Sequence, residues 1–340
     1  MNDKVFSSAC NFLRLPLMLL VVFIHVKYNV LITLPTTHLS YSVVFIFTQI
    51  ISRIAVPSFF VISGYYFFFD IGKLGRFSLQ NYKTKLFKRV FSLLIPYLIW
   101  NLFYCLFKSI CFEQNFFLLL GKIFAYPMPV AFQFWYIRDL MIMCLISPVL
   151  YWLIRKTKAV FILILLFVWF LNLKIVIDTP LLFFSFGAYF SIERKDVVAL
   201  LGKIKPYIFL LLLLFGVMDF IFNLSPTNSF HKAENIYLIH CLFVLSGVVG
   251  VFCFAVAFVK NKQINKFSNT SFVFLLFAIH PLTTLYLFTP LLIHFMGSKT
   301  PLLIAYFVPV IFSVLVSYFV YLFMNKYLKP LLFILVGMRK

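Results

Sequence analysis

FLRLPLMLLVVFIHV, residues 12–26, is an apolar run with an arginine near its start and a histidine near its end. An apolar stretch of this kind reads as a transmembrane helix, expected over 12–32. Arg14 and His25 are eleven positions apart, almost three whole turns, so both side chains fall on nearly one helix face. At about 1.5 Å of rise per residue they lie roughly 16 Å apart, about half the hydrocarbon thickness. Arg14 is expected near one membrane surface and His25 nearer mid-bilayer. Alone, Arg14 reads as an interfacial anchor, and His25 reads as an interhelical hydrogen bonder as readily as a catalyst. Together on one costly stripe they point to function.

The rest of the chain sets the class. Of its 340 residues 64% are hydrophobic and only 11% charged, with a mean hydropathy of +1.04. No soluble core of this size needs that much apolar surface. The expectation is an all-α, polytopic helix bundle of about ten spans forming a single domain over 1–340. The spans are placed at 12–32, 42–69, 86–107, 133–154, 159–173, 177–191, 206–223, 236–259, 270–296 and 301–325. The fifth and sixth barely reach the length of a bilayer. The second is long enough to tilt or bend, with Pro57 as the reason. The 48 phenylalanines read as filler for lipid-facing positions.

Charge placement orients the bundle. Lys73, Arg76, Lys83, Lys85, Lys88 and Arg89 follow the second span, and Arg155, Lys156 and Lys158 the fourth. Arg194, Lys195, Lys203 and Lys205 follow the sixth, Lys260, Lys262 and Lys266 the eighth, and Lys326, Lys329, Arg339 and Lys340 the tenth. The alternate loops are poor in basic residues, apart from cases such as Lys27, which can snorkel to the far interface. The positive-inside rule then makes both termini and the basic loops cytoplasmic. The net charge of +21 is therefore a topology signal with affinity for anionic lipid, not a nucleic-acid footprint. Segment 72–89 reads either as a membrane-hugging loop or as a holder of an anionic cytosolic ligand. The six cysteines show no metal-ligand spacing and no disulfide framework is expected. No small-residue cleavage site follows the first apolar run, so it reads as a retained span. The loop at 108–132 is itself fairly apolar and reads as dipping into the membrane or covering a cavity.

Other polar residues sit at membrane depth. Arg53 lies well inside the second span, and Pro57 removes the hydrogen bond its carbonyl would accept. The two readings of Arg53 are a polar cavity residue and a packing motif bonded to backbone. Ser63-Gly64 is a small pair that permits close helix approach. Trp135 and Tyr136 read as an exterior aromatic belt. Arg138 and Asp139 lie just inside it; adjacent side chains on a helix diverge, so each is expected to pair elsewhere. Asp139 suits orienting an imidazole, accepting from a sugar hydroxyl, or a structural ion pair. His240 and His280 are also at membrane depth, but the histidines share no ligand spacing, which argues against metal.

These segments together resemble the acyltransferase-3 family of bacterial integral membrane O-acyltransferases. The resemblance rests on five ordered motifs: Arg14 with His25, Phe59-Phe60 with Ser63-Gly64-Tyr65, and Arg89 with Ile95-Pro96-Tyr97, then Trp135-Tyr136 with Ser147-Pro148, and Phe277-Ala278-Ile279-His280-Pro281. Leu15-Pro16 replaces a usual glycine, a tyrosine of the last motif is replaced, and no fused exterior esterase-like domain is expected. The resemblance implies acyl transfer, most simply acetyl, from cytosolic acyl-CoA to a hydroxyl of a cell-surface or lipid-linked glycan, in a bacterial inner membrane. Acetyl-CoA would be a co-substrate and no cofactor would be permanently bound. His25 would be the general base, with a covalent acetyl-imidazole as the less favoured variant, and Arg14 and Arg53 would complete the catalytic group. Arg14, Lys88 and Arg89 would hold the coenzyme. Ser63, Trp135, Tyr136, Arg138, Asp139 and His280 would contact the acceptor. The rival readings are a transporter or exporter of a glycan, using the same stripe as a path, and a non-catalytic scaffold.

Overall fold

In lipid every backbone polar group must be paired within the protein, which restricts an apolar chain of this kind to helices. The computed structural model describes residues 2–26, 39–74, 77–173, 177–224, 233–261, 269–288, 290–291, 294 and 302–337. Among them there is no strand. The topology signals Lys27, Arg76, Lys262, Lys266, Arg339 and Lys340 lie outside the described residues. The helices are α1 (Asn2–His25), α2 (Leu39–Phe45), α3 (Ala55–Leu74), α4 (Leu79–Arg89), α5 (Ile95–Phe112), α6 (Phe116–Leu120) and α7 (Trp135–Thr157). They continue with α8 (Ala159–Phe170), α9 (Asp178–Ile192), α10 (Val197–Leu224), α11 (Ala233–Asn261), α12 (Thr270–Pro281), α13 (Leu302–Tyr327) and α14 (Lys329–Leu335).

Eight helical segments among the described residues are long and apolar enough to cross a bilayer. The expected fifth and sixth spans appear as α8 and α9, of 12 and 15 residues. The first span differs from expectation, because its helix starts at Asn2 and not near residue 12. Asn2, Asp3, Lys4, Ser7 and Ser8 lower the hydropathy there. Yet Asp3 suits the positive end of the helix dipole, and Phe6, Ala9 and Cys10 are buried against the core. Arg14 therefore sits in the middle of α1, not at its end. The third span likewise starts earlier, because the basic α4 runs into it.

α1 is the central element, packing on α3, α10, α11, α12 and α13. The tightest crossing joins α3 to α9, the pair with the most extensive mutual contact. A Cβ on Gly64 would collide with the Phe184 carbonyl, and one on Gly187 with the Val61 carbonyl. Two reciprocal glycines thus let the backbones touch, as small residues do where helix association rests on packing and not on expulsion of water.

Three spans carry an irregular turn beside a proline. The second span passes through a π turn (Ile46–Ile50) and a 3₁₀ turn (Ile51–Ile54) before Pro57. The third has a π turn (Val90–Leu94) before Pro96, and a π turn (Leu282–Phe288) follows Pro281. Hydroxyls bond backbone carbonyls at two of these places: Thr48 Oγ1 donates to Val44 O at 2.8 Å and Ser58 Oγ to Ile54 O at 2.8 Å. Thr283 and Thr284 both donate to His280 O, at 3.0 and 2.7 Å.

Gly64→Val is expected to force α3 off α9 at a cost of about 1–3 kcal/mol, read as a lower melting temperature in detergent. Gly202, whose Cβ would meet nothing within 4 Å, serves as the control. Gly202→Ala should melt at or slightly above wild type, and an unchanged Gly64→Val would refute the close crossing.

Candidate active site

Four positions on α1, Arg14, Met18, Val21 and His25, recur at helical spacing and line one cavity of about 750 Å³. The stripe inferred from the spacing of Arg14 and His25 is thus a wall of an interior space. The second span contributes Arg53, Ser63 and Tyr66, α7 contributes Trp135 and Tyr136, and α12 contributes Thr270, Phe274 and Phe277. Arg89, where α4 passes into the third span, also lines it, as does Met128 in the loop beyond the far end of that span. Trp135 and Tyr136 therefore face this interior, not an outer lipid belt alone.

The geometry around His25 follows from a two-residue sequence, His280-Pro281. Pro281 has no N–H to give to the Phe277 carbonyl four residues back. His280 Nδ1 sits 2.8 Å from that carbonyl and 3.2 Å from the Leu276 carbonyl. Carbonyls only accept, so Nδ1 carries the hydrogen, and in a neutral imidazole Nε2 is then an acceptor. His280 Nε2 is 2.8 Å from His25 Nδ1, which makes His25 the donor through Nδ1–H. The nitrogen of His25 left with a lone pair is Nε2. This tautomer is assigned from the bonding pattern. The two rings stack at 4.9 Å, and Phe132 meets His25 edge-on at 5.0 Å. His280 is fully buried and touches the site through His25.

Among the described residues, Arg14 and Arg53 are held by neutral groups, with no carboxylate paired to either. Arg14 Nη1 donates to Thr270 Oγ1 at 2.6 Å, and Thr270 follows Asn269, the N-cap of α12. Arg53 Nη2 donates to Gln49 Oε1 at 2.5 Å, one helical turn back across the irregular turns of the second span. Ser63 Oγ and Tyr136 OH are 3.1 Å apart, joining α3 to α7. Arg89 lies 5.8 Å from the Phe67 ring, itself on the cavity wall, whereas Lys88 is exposed and outside the lining.

Arg138 and Asp139 behave differently from expectation. They pair with each other, with Nε at 2.9 Å and Nη2 at 2.8 Å from Asp139 Oδ1. The guanidinium is long enough to fold back past its own backbone, which the divergence of adjacent Cβ positions does not forbid. Its remaining donors reach the Ala125 carbonyl at 2.5 Å and the Pro127 carbonyl at 3.2 Å. Neither residue lines the cavity. They fasten the loop after α6, which is also held by Lys108 Nζ on the Val130 carbonyl at 2.9 Å and by the Ala131 N–H on Asn101 Oδ1 at 3.0 Å. The loop covers one end of the cavity through Met128.

The acyltransferase domain of the acyltransferase-3 family matches residues 8–322, nearly the whole chain. The chain belongs to the acyltransferase-3 family. No curated protein and no solved structure matches it. It is accordingly a multi-pass membrane acyltransferase. Within this acyltransferase the cavity gathers Arg14, His25, Arg53, Ser63, Arg89, Trp135 and Tyr136, adds His280 behind His25, and leaves out Lys88, Arg138 and Asp139. It also contains Thr270, Tyr66 and Thr179, which sequence reading passed over because a hydroxyl in an apolar helix is unremarkable. Asp219 escaped notice too, although a lone carboxylate in the run FGVMDFIF is a visible signal.

Removing one member of a buried ion pair costs about 3–5 kcal/mol. Arg138→Ala should therefore lower the melting temperature and open the loop at 121–131 to limited proteolysis. Equal protease resistance in Arg138→Ala and wild type would refute a fastening role.

Proposed function

We propose that this acyltransferase moves an acyl group, most simply acetyl, from cytosolic acyl-CoA to a hydroxyl of a cell-surface or lipid-linked polysaccharide. The basic loops support a bacterial inner-membrane placement with both termini cytoplasmic. The observation that carries the reading is the cavity in which Arg14, Arg53 and the His25–His280 pair meet inside the helix bundle. Such a space admits a thioester and a hydroxyl to one imidazole without a soluble domain.

The acceptor oxygen attacks the thioester carbonyl while its proton passes to Nε2 of His25. His280 keeps the opposite edge of the ring in the donor tautomer and stabilises the imidazolium by accepting its Nδ1–H. Arg53 stabilises the oxyanion as charge develops there, and Arg14 and Arg89 hold coenzyme phosphate or the thioester oxygen. Collapse breaks the C–S bond, and the thiolate takes the proton back from His25. The acyl ester and free coenzyme leave with atoms and charge balanced. Trp135, Tyr136 and Ser63 line the acceptor's approach.

General acid–base catalysis contributes about 10²–10⁴-fold, so His25→Ala should lose at least that much acyl transfer while inserting and folding normally. The measurement is the O-acetyl content of surface polysaccharide by NMR, in cells expressing wild type or variant at equal membrane level. A fully active, normally inserted His25→Ala protein would sink the assignment. Arg53→Ala should lose transfer in the same way. His280→Ala should lower turnover without changing apparent affinity for acetyl-CoA.

A further inference from the structure

The cavity has a second titratable cluster that the mechanism above does not use. On α10, Asp219 is almost fully buried at 1% side-chain exposure, and its Oδ2 lies 2.8 Å from Nδ1 of His240 on α11. Its Oδ1 accepts from Asn223 Nδ2 at 2.8 Å, one turn further along the helix. The carboxylate is thus satisfied on both oxygens. A carboxylate oxygen only accepts here, so Nδ1 of His240 carries the hydrogen, and in a neutral imidazole Nε2 is then the acceptor. The imidazole keeps 29% exposure and lines the same cavity as His25.

The wall around His240 is built from helix ends tied to one another. Trp169 Nε1, near the end of α8, donates to Thr179 Oγ1 at the start of α9 at 3.0 Å. That hydroxyl in turn donates to Asp178 Oδ1 at 3.1 Å. Tyr237, one turn before His240, donates its hydroxyl to the Trp169 carbonyl at 3.0 Å. Trp169, Thr179, Tyr237 and His240 all line the cavity. Three of these four have their polar atoms committed to the frame. The imidazole is the member whose second nitrogen has no partner among the described residues. A carboxylate kept at membrane depth only to pack would be adequately satisfied by amides and hydroxyls. Coupled to an imidazole that opens on the cavity, it prepares an oriented acceptor of one hydrogen bond.

We propose that His240, oriented by Asp219, is an acceptor-binding residue that takes a hydroxyl of a polyhydroxylated substrate at Nε2, apart from the His25 centre. This rests on the reading of the acceptor as a carbohydrate. Its role is to set which hydroxyl reaches His25 and not to move the transferred proton. A site built to bond a substrate hydroxyl discriminates strongly against acceptors lacking it, because its own polar group is then left unpaired.

The test uses the purified full chain in nanodiscs with radiolabelled acetyl-CoA. The acceptor is oligosaccharide released from the surface polysaccharide of the cell that encodes the protein. His240→Ala should raise the acceptor KM by about tenfold, the factor one such hydrogen bond supplies, and leave the KM for acetyl-CoA within about twofold. His240→Gln, whose carbonyl can accept the same hydroxyl, should recover part of the loss, and Asp219→Asn should fall between. A loss of kcat at unchanged acceptor KM, or equal loss for both substrates, would overturn the proposal. A second readout does not need turnover. Carbethoxylation of His240 by diethylpyrocarbonate, located by mass spectrometry, should be slowed by the oligosaccharide and not by coenzyme A. Protection without transfer in wild type would overturn the acyl-transfer reading and uphold the subsite. Transfer in wild type with no protection and no change in KM would overturn the subsite alone.

Discussion

A membrane-embedded backbone cannot leave a carbonyl unpaired, and that constraint organises this protein more than any single contact. Prolines 57, 96 and 281 each delete an N–H inside a span, and each freed carbonyl must find another donor. At Pro281 the donor is the side chain of the preceding residue, since His280 Nδ1 bonds the Phe277 carbonyl. That bond decides which nitrogen of His280 remains, hence which nitrogen of His25 it engages, hence which nitrogen of His25 is basic. A backbone vacancy in α12 thereby sets the tautomer of a ring on α1, 255 residues away in sequence.

The same constraint explains where the cavity lies. Regular helices pack ridge into groove and close the space between them. The irregular turns at 46–54, 90–94 and 282–288 break that regularity in spans that border the cavity, and π turns of this type concentrate at functional sites. Elsewhere the bundle is closed tightly, as at the Gly64–Gly187 crossing, where backbone meets backbone. Close backbone packing on one side and interrupted helices on the other leave room for the polar side chains that line the cavity. Among the described residues, Arg14 is held by a neutral hydroxyl and Arg53 by a neutral amide, with no carboxylate paired to either.

Two paired carboxylates show how differently such a group can be used at this depth. Arg138 and Asp139 neutralise each other and spend the remaining guanidinium donors on loop carbonyls, so they shape the cover of the cavity without entering it. Asp219 and His240 pair just as closely, yet the imidazole edge stays on the cavity wall. Residue type does not separate these cases. What the partner does with its other donors does.

Local sequence carried the all-helical membrane class, the stripe that joins Arg14 to His25 and the close approach at Gly64. Each of these rests on local periodicity, on hydropathy or on the stereochemistry of one residue, all of which are properties of a short segment. It misplaced the start of α1, because polar residues at 2–8 hide a helix whose other face is buried. It sent Arg138 and Asp139 to different partners, because side-chain reach is not fixed by Cβ direction. Only the tertiary structure decided that His280 stands behind His25, that Thr270 holds Arg14, and that Asp219 orients His240. These pairs join different helices, and no spacing rule links their positions. The fold was legible because the bilayer leaves few alternatives, whereas the site required knowing which helix faces meet.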